Sequence, residues 1–301
     1  MKPKILILPG TAYAGTTPFY YTLRNAKFCN AGYHKEFHYL EMMHQNNPEF
    51  DDWMIERYTE TKIDFRTQEP LAVTKEWDKD YYTGLFTAPH SFDKYIHHMM
   101  HLHESYPEYH APCDLSNHIV NLPVELMTDH AEALKPHFDV KVIMLVADPV
   151  FRYYQELGGL INQKIYKKEF SEKKRKILYT NRDLLTDHYI RNKKQQKLFR
   201  YCIEKSIISN NCNYEFNHNK LCWSYGNKNV LVIEMEKFWQ SSYDKETFDK
   251  LCEFLEYEIS PEHLYPNQYL SKDKNIEGLE DQCTEFEPLT DELYEKGKKV
   301  L

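Results

Sequence analysis

Three stretches of the chain are apolar without alternation, as strands buried on both faces of a parallel sheet must be. They are Lys4-Ile5-Leu6-Ile7-Leu8, Asp139-Val140-Lys141-Val142-Ile143-Met144-Leu145-Val146 and Asn229-Val230-Leu231-Val232-Ile233. A helical pattern follows each. After Gly15, the run Thr16 to Arg24 offers hydroxyl caps, a proline in the first turn and apolar positions three and four apart. A second helix is expected from about Pro149. A third runs from about Lys245 to Tyr257, with Phe248, Leu251, Cys252 and Leu255 on one face. Leu122 to His137 also reads as helical. Residues 34 to 110, rich in Tyr, His and Met, read as helices and long loops over the sheet. Alternating strands and helices predict an α/β fold, a central parallel sheet with flanking helices joined by right-handed crossovers. There is no internal repeat and no linker, so residues 1–301 are expected to form one domain. Residues from about 155 to 225 read as a charged helical insertion, with no Gly or Pro between Gly159 and Gly226.

At 301 residues, 42% hydrophobic and 28% charged, the chain has the composition of a globular protein with a substantial core. Its longest purely apolar run, Val142 to Ala147, is far below the roughly 20 residues that span a bilayer. No membrane association is expected. The Ile-Leu-Ile-Leu run after Lys2 and Lys4 is broken by Pro9 and is too short for a signal peptide, which predicts a cytoplasmic protein. Seven cysteines without a CxxC pair predict reduced thiols and no zinc ribbon. The net charge of -8 speaks against nucleic-acid binding. It is unevenly spread: Ile161 to Arg200 holds thirteen Lys and Arg against four Asp and Glu. That stretch is either a solvated face or the rim of a site for an anion.

The sharpest chemical feature is Gly10-Thr11-Ala12-Tyr13-Ala14-Gly15-Thr16-Thr17, between the first strand and the first helix. It has the GxxxxG frame of a Walker A loop, in which backbone N–H groups and a helix N-terminus bind phosphate; a glycine pair after a strand alone reads as a plain turn, and the strand, loop and hydroxyl-bearing helix start favour an anion site. Thr16 stands where the Walker lysine belongs, which disfavours an ordinary ATP or GTP hydrolase or a nucleotide kinase. Gly-Thr-Thr in this setting resembles the 5′-phosphosulfate loop of the sulfotransferase family. Other segments agree in order. Val142 to Tyr154 resembles the family's second strand and its Arg-Asn/Asp-Pro-x-x-Arg-x-x-Ser motif, through Asp148, Pro149 and Arg152. Val230 to Phe238 is similar to the late strand ending in Glu-Asp-Leu, and Phe254-Leu255 to the Phe-Leu pair of the next helix. Glu76 to Phe86 looks like a segment of the glycan-type members.

The resemblance implies a P-loop NTPase-like sulfotransferase fold and a cofactor, 3′-phosphoadenosine 5′-phosphosulfate, left as adenosine 3′,5′-bisphosphate after transfer. It implies cofactor contacts from Gly10, Thr11, Ala12, Tyr13, Ala14, Gly15, Thr16 and Thr17, and from Asp148, Arg152 and Gln155. The family's lysine two residues before Gly-Thr-Thr is Tyr13 here, which offers one neutral hydrogen bond in place of a charge. The first Arg of the second motif is Ala147 and its Ser is Gln155. Replacement cations would come from Lys164 to Lys176, Lys272 or Lys274. Glycan-type members take the acceptor proton with a Glu in a Lys-Glu-Pro-like motif. Gln68-Glu69-Pro70 is the nearest match, with Glu76 as the alternative, and a surface carboxylate is the plain reading of either. Asp114-Leu115-Ser116 resembles a short acidic and hydroxyl segment that touches the acceptor, and a helix cap explains it as well.

Histidines cluster at 97, 98, 101 and 103, and His97 with His101 has the i, i+4 spacing that places two imidazoles on one helix face. His34 and His38 repeat it. Without an HExxH pattern or a clear third ligand, a polar helix face is preferred to a metal, and no metal is expected. His44 and His90 remain alternative bases, as cytosolic family members use His. Two functions follow: transfer of a sulfuryl group to a hydroxyl of a glycan or small molecule, or a non-catalytic relative that binds a nucleotide, an anion or a protein.

Overall fold

The computed structural model describes residues 2–10, 14–32, 34, 36–59, 79–116, 119–147, 213–238 and 244–265. Labels below count the described elements. The strands are β1 (Lys4–Ile7), β2 (Cys29–Asn30), β3 (Ala111–Asp114), β4 (Asp139–Val146) and β5 (Val230–Glu234). They form one parallel sheet in the order β2-β3-β1-β4-β5. β1 is paired on both sides, Leu6 with Cys113 and with Lys141, and β4 runs on to pair Val142–Val146 with Val230–Glu234.

Because side chains alternate across a strand, each strand serves two cores. Ile5, Ile7, Val142, Met144 and Val146 pack on one face. That face is covered by α2 (Tyr39–Gln45), α3 (Pro48–Thr59), α4 (Lys79–Phe86), α5 (Phe92–Ser105), α6 (Val124–Leu134) and α7 (Tyr214–Tyr225). Leu6, Leu8, Ile143 and Leu145 pack on the other, under α1 (Thr16–Asn25), α8 (Met235–Phe238) and α9 (Lys245–Leu255). β5 is half-buried except at Ile233, consistent with its place at the end of the described sheet. Among the described residues no helix is long and apolar enough to cross a membrane.

The described residues of the region from 34 to 110 form α2 to α5, the helices expected of it, and β2 and β3, which flank the region, pair with each other. Neither strand shows as an apolar run: β2 is two residues and β3 reads Ala-Pro-Cys-Asp. The helix at 122–137 is realised as α6 and that at 245–257 as α9. Of the segment 155–225, only its end is described. There α7 lies against α6 and β4, with Tyr214, Leu221 and Tyr225 buried. Its Tyr214 hydroxyl donates to the Ala147 carbonyl at 2.9 Å and accepts from the Ala147 N–H at 3.4 Å, holding the chain as it leaves β4. Tyr214→Phe strands both buried backbone groups and should lower stability by about 1–3 kcal/mol in urea unfolding.

Candidate functional site

The carboxyl end of β1 is where the chain changes direction. From β1 it passes through α1 to β2 and β3 on one side, and from β3 through α6 back to β4 on the other. α1 and α6 lie on opposite faces, so a crevice opens outside the carboxyl ends of β1 and β3, the place where open α/β sheets bind ligands. Two backbone bonds fix its floor: Leu8 N–H donates to the Asp114 carbonyl at 2.8 Å, and Val120 N–H to that of Pro9 at 3.3 Å.

The glycine loop rises from this floor. Gly10 has φ 103° and Gly15 φ 79°, both in the region that disfavours a side chain. Gly15 is the N-cap of α1, so the expected hydroxyl caps are helix positions instead: Thr16 opens α1 and is buried. No side chain caps this end among the described residues, and the first turn carries no acidic group. Free N–H groups and the positive end of the helix dipole therefore face the crevice. Met235, the first residue after β5, packs so closely under Gly15 that a Cβ there would lie 2.6 Å from its Cε. The ends of β1 and β5 thus jointly set the height of the loop.

Beside the loop lies a buried polar network. Asp114 is fully buried, and its carboxylate accepts from Ser116 N–H at 3.0 Å, Ser116 Oγ at 2.6 Å and Tyr95 Oη at 2.9 Å. Burial raises the Asp114 pKa, and the bonds from Ser116 and Tyr95 work against that rise. Ser116 Oγ also accepts from His38 N–H at 2.7 Å. His38 has φ 55°, strained for a residue with a side chain. Its Nδ1 donates to Glu41 at 2.9 Å and its Nε2 faces Glu36 at 3.3 Å. Burial pulls the His38 pKa down, but the bonds and charges of Glu36 and Glu41 outweigh it and push it up to about 9. The second Glu41 oxygen is buried with no partner among the described residues. Phe50 and Trp53, stacked with ring centres 5.6 Å apart, flank the imidazole, and Arg57 lies over Trp53.

No protein-family model matches the chain, and no curated protein does. Solved structures do. A sulfotransferase from Alicyclobacillus acidocaldarius superposes over 100% of this chain and 96% of its own, with a TM-score of 0.51 at 15% identity. The fold is that of the sulfotransferases. The sulfotransferase domain of the Synechococcus PCC 7002 olefin synthase covers 92% of this chain and 82% of its own at 15% identity, with a TM-score of 0.46. The sulfotransferase domain of the curacin biosynthetic pathway covers 89% and 78% at 14% identity, with a TM-score of 0.47.

Within the sulfotransferase fold, Gly10, Ala14, Gly15, Thr16 and Thr17 form the described part of the turn from β1 into α1, and the end of β1 is bonded through Leu8 to Asp114, which is buried with Ser116. Thr11, Ala12, Tyr13, Glu69, Glu76, Asp148, Arg152 and Gln155 lie outside the described residues, as do the basic stretch from Lys164 to Lys176, Lys272 and Lys274. Ala147 is buried in the same apolar core as Leu145 and Met235. His98 is buried in α5, stacked on Phe37 and 3.0 Å from Tyr81 Oη, and burial pushes its pKa down to about 3. His97 and His101 are exposed on the same helix. Among the described residues no three metal-ligating side chains converge. His34 and His38 precede α2, so their spacing is not a helical one. His44 is exposed, while His90 Nε2 donates to both Asp51 oxygens at 3.0 Å. The Tyr95–Asp114–Ser116–His38 network was the feature sequence reasoning missed. Its one local signal is Asp114-Leu115-Ser116, an aspartate bonding the N–H two residues on.

Asp114→Ala leaves three buried donors without an acceptor and should cost about 3 kcal/mol or more in chemical unfolding, far above an ordinary surface change. The His38 clamp has a pH signature of its own. Its folded pKa lies above the ordinary 6.5, so its stabilisation is complete below about pH 6.5 and is lost as pH rises through about 9. Stability measured across that window should fall, and the fall should shrink in Glu41→Gln.

Proposed function

We propose that this chain is a sulfotransferase that takes the sulfuryl group of 3′-phosphoadenosine 5′-phosphosulfate and passes it to a hydroxyl of a carbohydrate or small molecule. One observation carries the reading: a glycine-bounded loop leads from β1 into the N-terminus of α1, which no side chain caps among the described residues, at the switch point of a sulfotransferase fold. A cytoplasmic location is part of this proposal.

The residues fit the 5′-side of such a cofactor. Gly10 and Gly15 let backbone approach a phosphate, and the first turn of α1 supplies N–H donors without an acidic competitor. When bound, the cofactor supplies an activated sulfuryl group on a phosphate leaving group. In this reading Thr16 and Thr17 orient that phosphate, and Tyr13 offers the leaving oxygen a neutral hydrogen bond. Glu69, or Glu76 in its place, takes the proton from the attacking hydroxyl. Asp114 and Ser116 serve the acceptor side by holding the turn after β3 rather than by touching the acceptor, since both are buried and bonded inward. Asp148, Arg152 and Gln155 remain the proposed 3′-phosphate contacts.

One feature favours the second reading, a non-catalytic relative that binds a nucleotide, an anion or a protein. Where the family motif opens with Arg, Ala147 sits in an apolar pocket with its backbone clamped by Tyr214. A buried alanine at that place supplies no charge to a 3′-phosphate.

Titration calorimetry with adenosine 3′,5′-bisphosphate, with ADP and AMP as controls and at two salt concentrations, tests the proposal. Selective, salt-weakened binding is expected. Tyr13→Lys should tighten it about tenfold by exchanging a neutral for a charged donor. Absence of binding to both proteins favours the non-catalytic reading, and Glu69→Gln separates binding from transfer once an acceptor is in hand.

A further inference from the structure

At the opposite end of the sheet, the amino ends of β1, β2 and β3 surround a cavity of about 420 Å³, within the size range of small-molecule sites. Each strand brings a basic residue to it: Lys2 and Lys4 before and at the start of β1, Lys27 before β2, and His110 before β3. His110 N–H donates to the Lys27 carbonyl at 3.1 Å, which ties two of these approaches together. Tyr257 closes one wall, its hydroxyl donating to the Ala26 carbonyl at 2.8 Å and its ring 5.2 Å from that of His110.

The charge is unbalanced. Lys4 is paired with Glu256 at 3.0 Å, and Glu108 is the one carboxylate in the lining. Lys2 donates to the Lys135 carbonyl and Lys27 rests over the Tyr109 ring, contacts that place these two charges without neutralising them. His103, at the end of α5, adds a buried Nδ1 with no partner among the described residues. His110 registers the resulting field. Burial, then the positive charge of Lys4 and His103, lowers its pKa, and Glu256 opposes them only in part.

We propose that this cleft binds a phosphomonoester carried on a ring, with the phosphate among Lys2, Lys4 and Lys27 and the ring against Tyr257 and His110. Planar side chains beside a cluster of cations suit an anion attached to a flat group. The cleft is separate from the glycine loop: five residues of β1 and its extension lie between Lys4 and Gly10, a span of about 20 Å. It therefore stands whether or not the chain is a transferase.

The test is histidine NMR on the full chain, titrated with phenyl phosphate and with inorganic phosphate. A bound phosphate cancels part of the field of Lys4 and His103, so the His110 pKa should rise as either anion saturates. Phenyl phosphate should saturate at a several-fold lower concentration. The double variant Lys2→Glu with Lys27→Glu, both at exposed positions, should weaken the response about tenfold with an unchanged thermal midpoint. An unmoved His110, equal affinity for the two anions, or an unaltered response in the double variant overturns the proposal. Phosphate bound only at the glycine loop leaves His110 unmoved and is thereby told apart.

Discussion

Everything that this chain can bind at the sheet depends on β1 being paired on both sides. With β3 on one flank and β4 on the other, its backbone groups are satisfied in the ladder and its side chains are divided between two dry cores. The strand cannot shift by one residue without turning Ile5 and Ile7 into the space of Leu6 and Leu8. That rigidity fixes where Gly10 stands, and with it the loop that leads into α1.

Close to that fixed point the protein buries polar groups that would be costly alone. The Asp114 carboxylate is tolerable in a dry interior because Ser116 and Tyr95 supply three donors, and a partly satisfied version would be worse than an apolar one. Its reach extends through Ser116 to His38, whose left-handed backbone is held from below by that hydroxyl and whose ring is held between Glu36 and Glu41. Nearby, His130 shows the contrasting solution. It is buried 2.8 Å from the Tyr225 hydroxyl, with no carboxylate bonded to it among the described residues, and burial pushes its pKa down to about 3. Two buried histidines are thus charged and neutral at the same pH because of what each faces.

The two ends of the sheet differ in how they gather positive charge. At the carboxyl end it is the backbone, through the open N-terminus of α1, while lysine is missing from the described part of the loop. At the amino end it is side chains, brought in by three successive strands. Backbone dipoles are fixed by the fold and tolerate divergence of the surrounding residues. A side-chain cluster does not, which is why charge reversal tests the second site and not the first.

The apolar runs at β1, β4 and β5 and the periodicity of α1, α6 and α9 were legible because burial on both faces, or along one stripe, demands a repeating pattern. The turn between β1 and α1 was legible because its left-handed positions, Gly10 and Gly15, favour glycine. β2 and β3 were not, being too short to show a period, nor was the clamp around His38, which joins Glu36 and Glu41 to Tyr95 and Ser116 from more than 50 residues further along the chain. His34 and His38 carried a helical spacing in a segment that precedes α2, with His38 at its left-handed N-cap. By itself the sequence determined the fold class and the place of the loop, since both follow from local patterns of burial and backbone freedom. Only the tertiary structure decided which charges meet, because Coulomb and hydrogen-bond energies depend on distance and desolvation, and the chain sets those only once it has closed on itself.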